Sequence, residues 1–177
     1  MTLVLLLVLA ALSAAIIYIS LSPDKFSIAR SMVIDAPPER IYPLINDLHA
    51  WERWSPWARL DPGQEITHDG SPLGAGAIMS WAGNKKVGVG KIKIAESSPN
   101  ERVRLRLQLI KPMQALHDIQ IDLNSLGGTR TEVIWRMSGR HEFVAKALQA
   151  FINVERRIGE QFEQGLANLK ELVETNV

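Results

Sequence analysis

The chain has 177 residues, 46% of them hydrophobic, which supplies one ordinary domain with a real core. Its 20 Lys and Arg against 19 Asp and Glu leave a formal charge of +1, so no basic excess points to nucleic acid. Cysteine is absent, which excludes disulfides, thiolate nucleophiles, cysteine metal sites and a lipoprotein anchor.

No Lys, Arg, Asp or Glu precedes Asp24, and residues 2–21 are apolar apart from Thr2, Ser13, Tyr18 and Ser20. A helical run of about 20 residues, at ~1.5 Å each, matches the ~30 Å hydrocarbon thickness of a bilayer. A buried core helix of this length would show a polar face, and this one has none. A cleaved signal peptide would start with Lys or Arg and end its apolar core in small residues. Here the small cluster at 10–15 is followed by Ile16, Ile17 and Ile19, and the start offers only the terminal amine. The expectation is therefore a retained single-pass transmembrane anchor at 1–22, followed by one domain at 23–177. Tyr18 suits the interface, and Lys25 and Arg30 beyond the span favour a cytoplasmic domain by the positive-inside rule.

From residue 25 to 34, β-branched and apolar residues predict a first strand. Asp35, Ala36, Pro37, Pro38 and Glu39 then start a helix, with proline tolerated in its first turn. That helix carries Ile41, Leu44 and Ile45 on one side and runs to about Asp47. A short second helix is expected over 48–54, broken by Ser55 and Pro56. Four or five more strands follow. The clearest, 102–109, alternates Arg102, Arg104 and Arg106 with Val103, Leu105, Leu107 and Leu109. After a turn at Lys111 and Pro112, residues 115–123 again place odd positions inward, and Gly127 and Gly128 turn the chain into 131–137. A symmetric hairpin sets Arg106 opposite Asp118 and Arg102 opposite Asp122, pairs worth ~0.2–1 kcal/mol each. Cross-strand pairing thus explains the charged outer face better than a basic ligand surface does. Last, 141–175 is a long amphipathic helix whose stripe runs through Val144, Leu148, Phe151, Val154, Ile158 and Phe162, and on to Val173.

Possible chemistry is sparse. His49, His68, His117 and His141 show no metal spacing, and neither a Gly-x-Ser-x-Gly elbow nor a His-Glu-x-x-His motif occurs. Gly88 and Gly90 read as bulge or bend positions rather than a phosphate loop. His117 stands on the inward parity of its strand, where an unsatisfied polar group costs roughly 1–3 kcal/mol. It is a satisfied core histidine, a polar anchor in an apolar cavity, or, with a partner, a general acid or base. Trp51 and Trp54 share a face and either plug the mouth of the sheet or, with Trp57, stack on a ligand. Met79, Trp81, Trp135 and Met137 suit a pocket or a core equally. Gly159 and Gly165 inside the last helix imply close backbone approach or room for a ligand, since glycine costs ~1 kcal/mol there.

This order of elements resembles the START-like helix-grip superfamily, which includes polyketide cyclases, dehydrases and lipid-transport proteins. Residues 34–42, Leu44 to Asp47, the run Trp51, Glu52, Arg53, Trp54, Ser55, Pro56 and Trp57, and the closing 162–170 carry the likeness, which spans about 25–173. The resemblance implies an α+β helix-grip fold (START/Bet v 1-like), a curved antiparallel sheet around the long C-terminal helix, here preceded by one transmembrane helix. It also implies a cavity between sheet and helix. Cavity candidates for ligand binding are Trp54, Trp57, Met79, Trp81, Leu107, His117, Trp135, Met137 and Phe162. The expected function is non-catalytic binding of a hydrophobic small molecule or lipid at a membrane, held there by residues 2–21, in a bacterial inner membrane. No cofactor, metal or nucleic acid is expected. The alternatives are a cyclase/dehydrase-like enzyme using His117, and a protein-interaction module with a vestigial cavity.

Overall fold

The structure, a computed structural model, describes residues 25–140 and 154–175, with a few helical, exposed positions among the first thirteen. The rest of the expected anchor at 1–22 lies outside the described residues, as do 141–153 with Val144, Leu148 and Phe151. Among the described residues no helix is long and apolar enough to cross a membrane.

Strand β1 (Lys25–Ile34) leads into helix α1 (Pro38–Asn46). Six further strands follow where four or five were expected: β2 (Glu65–Gly70), β3 (Ala77–Ala82), β4 (Val89–Ser98), β5 (Arg102–Lys111), β6 (Ala115–Ser125) and β7 (Thr131–Arg140). Helix α2 (Val154–Thr175) closes the chain. The seven strands form one antiparallel sheet in the order β1-β7-β6-β5-β4-β3-β2, so every neighbour but β1 and β7 is joined by a hairpin. The expected second helix is instead two 3-10 turns, Ala50–Arg53 and Pro56–Arg59. Trp54 and Ser55 fall between them, Pro56 opens the second, and the pre-proline Ser55 is held in extended backbone, which stops an α-helix from continuing.

The hairpin register is the symmetric one: Arg106 faces Asp118, Leu107 faces His117 and Arg102 faces Asp122. Period-two patterning then sends Val103, Leu105, Ile119 and Ile121 inward while the arginines face out. Outside, Arg104 donates to Glu96 and Gln120 at 3.0 and 3.1 Å. Asp122 is the exception on this face, because it is buried. It accepts from Arg102 at 2.5 Å and from Gln120, and it pairs with Arg136 of β7. Three strands are thereby tied through one carboxylate.

Helix α2 lies along β1, with Arg30 paired to Glu163 at 2.5 Å and Lys170 donating to the Val33 carbonyl at 2.8 Å. Its end is fixed by Glu174, which accepts from the Asp35 amide at 2.7 Å, and by Arg40, which donates to the Val173 carbonyl. Phe162, Leu166, Leu169 and Val173 form its buried stripe. The two helix glycines are close-approach positions. A Cβ at Gly165 would stand 2.9 Å from Trp135 and 3.0 Å from Pro56, and one at Gly159 would strike the Arg30 guanidinium.

Burial pushes the Asp122 carboxyl up, but the hydrogen bonds from Arg102 and Gln120 and the charges of Arg102 and Arg136 outweigh it and hold it below its ordinary value. A carboxyl lowered by folding adds stability above its unfolded-state pKa and loses it as pH falls through the folded value. Asp122→Ala should cost about 1–3 kcal/mol at neutral pH. Asp122→Asn should flatten the loss of stability as pH falls below about 5, relative to the parent. Chemical denaturation followed by tryptophan fluorescence measures both.

Candidate functional site

The inner face of the sheet divides into two halves of the same apolar parity. Toward α1 the side chains Ile94, Val103, Leu105, Ile121 and Val133 are packed solid. Toward the other end, β2 to β7, the two 3-10 turns and α2 surround a cavity of about 320 Å³. Ile92, Leu107, Ile119, Met137, Trp135 and Phe162 form most of its inner wall. The size and apolar lining suit a small hydrophobic molecule.

Trp135 and Phe162 stand at the border. Their rings stack with centroids 4.5 Å apart and planes 7° apart, and Trp51, Trp54 and Trp57 meet Trp135 edge-on at 6.0, 5.4 and 5.9 Å. Trp135 is 1% exposed, and its indole Nε1 has no hydrogen-bond partner among the described residues. Three of the other four tryptophans are tied down. Trp51 and Trp54 donate to the carbonyls of Ile45 and Leu44 at 2.9 and 3.0 Å, and Trp81 donates to the Val87 carbonyl at 3.1 Å. The first two bonds have a local cause: the last carbonyls of α1 lack intrahelical donors, and the indoles supply them.

Of the nine cavity candidates, eight line the cavity: Trp57, Met79, Trp81, Leu107, His117, Trp135, Met137 and Phe162. Trp54 does not. It is 1% exposed and packed in the core, with Asn168 of α2 donating to its carbonyl at 3.0 Å, and Trp51 takes its place on the wall. The tighter 3-10 geometry still puts residues three apart on one side, so sequence spacing could not choose between the two.

His117 sits on the wall with its ring edge-on to Phe26, centroids 5.3 Å apart. Gly139, its partner on β7, makes the room, since a Cβ there would lie 2.4 Å from Nδ1. Gly90 does the same for Trp81, whose ring would meet a Cβ at 2.5 Å, and the ladder shifts register between Val89 and Gly90. Of the two glycines expected at bulge or bend positions in a strand, Gly90 sits at this irregularity, whereas Gly88, with φ 69°, lies just before β4. Glu52 supplies the one carboxyl among the lining side chains.

Two features were not foreseen. Lys85, Lys86 and Lys111 stand at the cavity mouth, the first two on the turn after β3 and the third at the end of β5. His49 and His68, far apart in sequence, stack at 3.8 Å, with His49 Nδ1 3.0 Å from Asp47. Among the described residues, however, no three His, Asp or Glu side chains converge to hold a metal.

A seven-stranded antiparallel sheet laid against one long C-terminal helix, with a cavity between them, defines an α+β helix-grip protein. The chain belongs to the family described as polyketide cyclase / dehydrase and lipid transport, which matches residues 25–174. Solved structures share the fold at low identity. A Chromobacterium violaceum protein is 20% identical with a TM-score of 0.59, covering 84% of this chain and 96% of its own. A Thermobifida fusca protein is 21% identical with a TM-score of 0.61, covering 83% and 92%. The Zhui aromatase/cyclase from a Streptomyces species is 10% identical with a TM-score of 0.60, covering 85% and 94%. No curated protein matches the sequence significantly.

The different placing of the tryptophans can be measured. Trp54→Ala should cost about 3–5 kcal/mol of unfolding free energy, as for a large buried aromatic. Trp57→Ala, half-buried at the cavity, should cost clearly less while weakening uptake of hydrophobic probes. Equal losses of stability would contradict the division between core and wall.

Proposed function

We propose that the protein binds a hydrophobic small molecule or lipid in the sheet–helix cavity without transforming it, while residues 2–21 hold it to a membrane. The observation that supports this most is the cavity itself: about 320 Å³ of apolar space in a domain whose other half is packed solid. Apolar wall that faces water instead of packing forfeits about 25 cal/mol per Å² of burial. A ligand that fills the cavity recovers part of that loss by mass action. The apolar span at 2–21 supports the membrane part of the reading, with the domain on the cytoplasmic face of a single-pass protein.

A second reading, proton transfer on a bound substrate, has one observation in its favour: the His117 imidazole lines the cavity. It would make the protein an enzyme of the cyclase/dehydrase kind. Under the binding reading His117 only orients a polar end of the ligand, so His117→Gln changes affinity modestly and abolishes nothing.

The purified full chain, studied by native mass spectrometry and solvent extraction, should carry a co-purifying hydrophobic ligand or take up a fluorescent fatty-acid probe. Leu107→Trp, which fills the cavity from β5, should cut probe binding by about tenfold or more, a loss of ~1.4 kcal/mol, while the chain still unfolds cooperatively. Retention of full binding by Leu107→Trp would place the ligand elsewhere.

A further inference from the structure

The strand register gathers several features at one edge of the sheet. Lys25, where β1 begins, pairs with Arg140, where β7 ends. Next to them Gly139 faces His117, and Leu109 faces both Ala115 and Gly90. Lys111 and Ala82 both face Val89, and Ala82 faces Glu65. The turn joining β3 to β4, the turn joining β5 to β6 and the first residue of β1 therefore share an edge. It is the edge on which the cavity mouth opens, as Lys85, Lys86, Lys111 and Pro112 belong to the lining.

The chemistry of this edge is distinct. Lys85, Lys86 and Lys111 are exposed, and none forms an ion pair with the described residues. Lys25 and Arg140 add to them. Among the described residues the acidic groups nearby are Glu52, Glu65 and Asp61, and the Asp61 carboxylate is occupied by the amides of Gly63 and Asn84 at 3.2 and 2.6 Å. Beside Lys111 the β5–β6 hairpin exposes Ile110 (39%), Met113 (42%) and Leu116 (68%), apolar side chains that the fold leaves uncovered. The opposite edge has no such basic cluster: its turns carry Glu101 and Arg130, and Asp69 lies near the end of β2.

Only Ser22, Pro23 and Asp24 separate β1 from the uncharged apolar run at 2–21. Three residues span at most about 10 Å fully extended. A bilayer that holds the run is thus brought to this edge and not to the opposite one. We propose that the edge is a bilayer-docking surface. The lysines engage anionic phospholipid headgroups, Ile110, Met113 and Leu116 enter the interfacial layer, and the cavity opens directly onto the membrane. The inference rests on the anchoring part of the proposed function and is independent of which molecule fills the cavity.

The chain has no cysteine, so single labelling sites can be introduced cleanly. Met113→Cys and, at the opposite edge, Leu126→Cys would each carry an environment-sensitive fluorophore. The full chain would be reconstituted in phosphatidylcholine vesicles with or without phosphatidylglycerol, and quenching by doxyl-labelled lipid measured. The Met113→Cys label should be quenched strongly in anionic vesicles, weakly in neutral ones, and the Leu126→Cys label weakly in both. A lysine at an anionic surface is worth about fivefold in affinity, so combined Lys85→Gln, Lys86→Gln and Lys111→Gln should lower docking by roughly 100-fold. The triple variant should still float with the vesicles. Equal quenching at both labels, or indifference to the triple variant or to lipid charge, overturns the docking surface alone. Failure of the chain to float with neutral vesicles overturns the anchor as well.

Discussion

The stacking of Trp135 on Phe162 sets the boundary on which both halves of the interior depend. Trp135 comes from the middle of β7, the strand beside β1, and Phe162 from the gripping helix, so their contact fixes how closely helix and sheet approach. Gly165, one turn along α2, makes that approach possible, because its missing Cβ leaves room for the edge of Trp135 and for Pro56. On one side of the stack the helix residues Leu166, Leu169 and Val173 seal the core against α1 and the β-strands. On the other side the helix presents Ile158 to open space. A glycine that costs helix stability in isolation is thus compensated by the aromatic contact it admits.

Much of the scaffold could be read from local pattern. The alternation from Arg102 to Leu109 and the inward parity of His117 gave the hairpin register, because a one-residue slip would exchange every buried and exposed side chain. The first strand and the helix starting at Pro38 were legible for similar reasons: their signals are local. The cavity was not legible in detail. Leu105 and Leu107 are the same residue type on the same face, yet one is packed solid and the other lines the cavity. Their difference depends on what lies across the interior, which is set by the helix and by the 3-10 turns rather than by periodicity. Trp51 and Trp54 exchanged roles for that reason. The stacking of His49 on His68 joins a loop to β2 and leaves no local trace. The strand count fell short because β2 and β3 are the short strands of the sheet, six residues each, and β2 forms its edge.

Charges on this domain meet two different fates. On the convex face the arginines of β5 are matched by Glu96, Asp118 and Asp122, mostly in exposed pairs worth little individually. Buried Asp122 differs, since its desolvation is offset only while several donors converge on it, and those donors come from β5, β6 and β7. The lysines at the cavity mouth have no such partners among the described residues. The outer arginines therefore belong to the architecture, while the mouth lysines are available to something outside it.

An apolar cavity persists only if its walls resist collapse, since packing normally relaxes into empty space. Here the walls are large, stiff rings held by more than contact. Trp51 is bonded to the end of α1, Trp81 to the turn after β3, and Trp135 is clamped between Phe162 and its tryptophan neighbours. Gly90 and Gly139 place Trp81 and His117 close against adjacent strands. Rotating any of these rings inward breaks a hydrogen bond or an aromatic stack that the cavity has no means to replace. The space is consequently a feature of the folded scaffold, formed before any ligand arrives. A ligand that enters it needs to displace little and order little, which favours binding by shape and apolar contact.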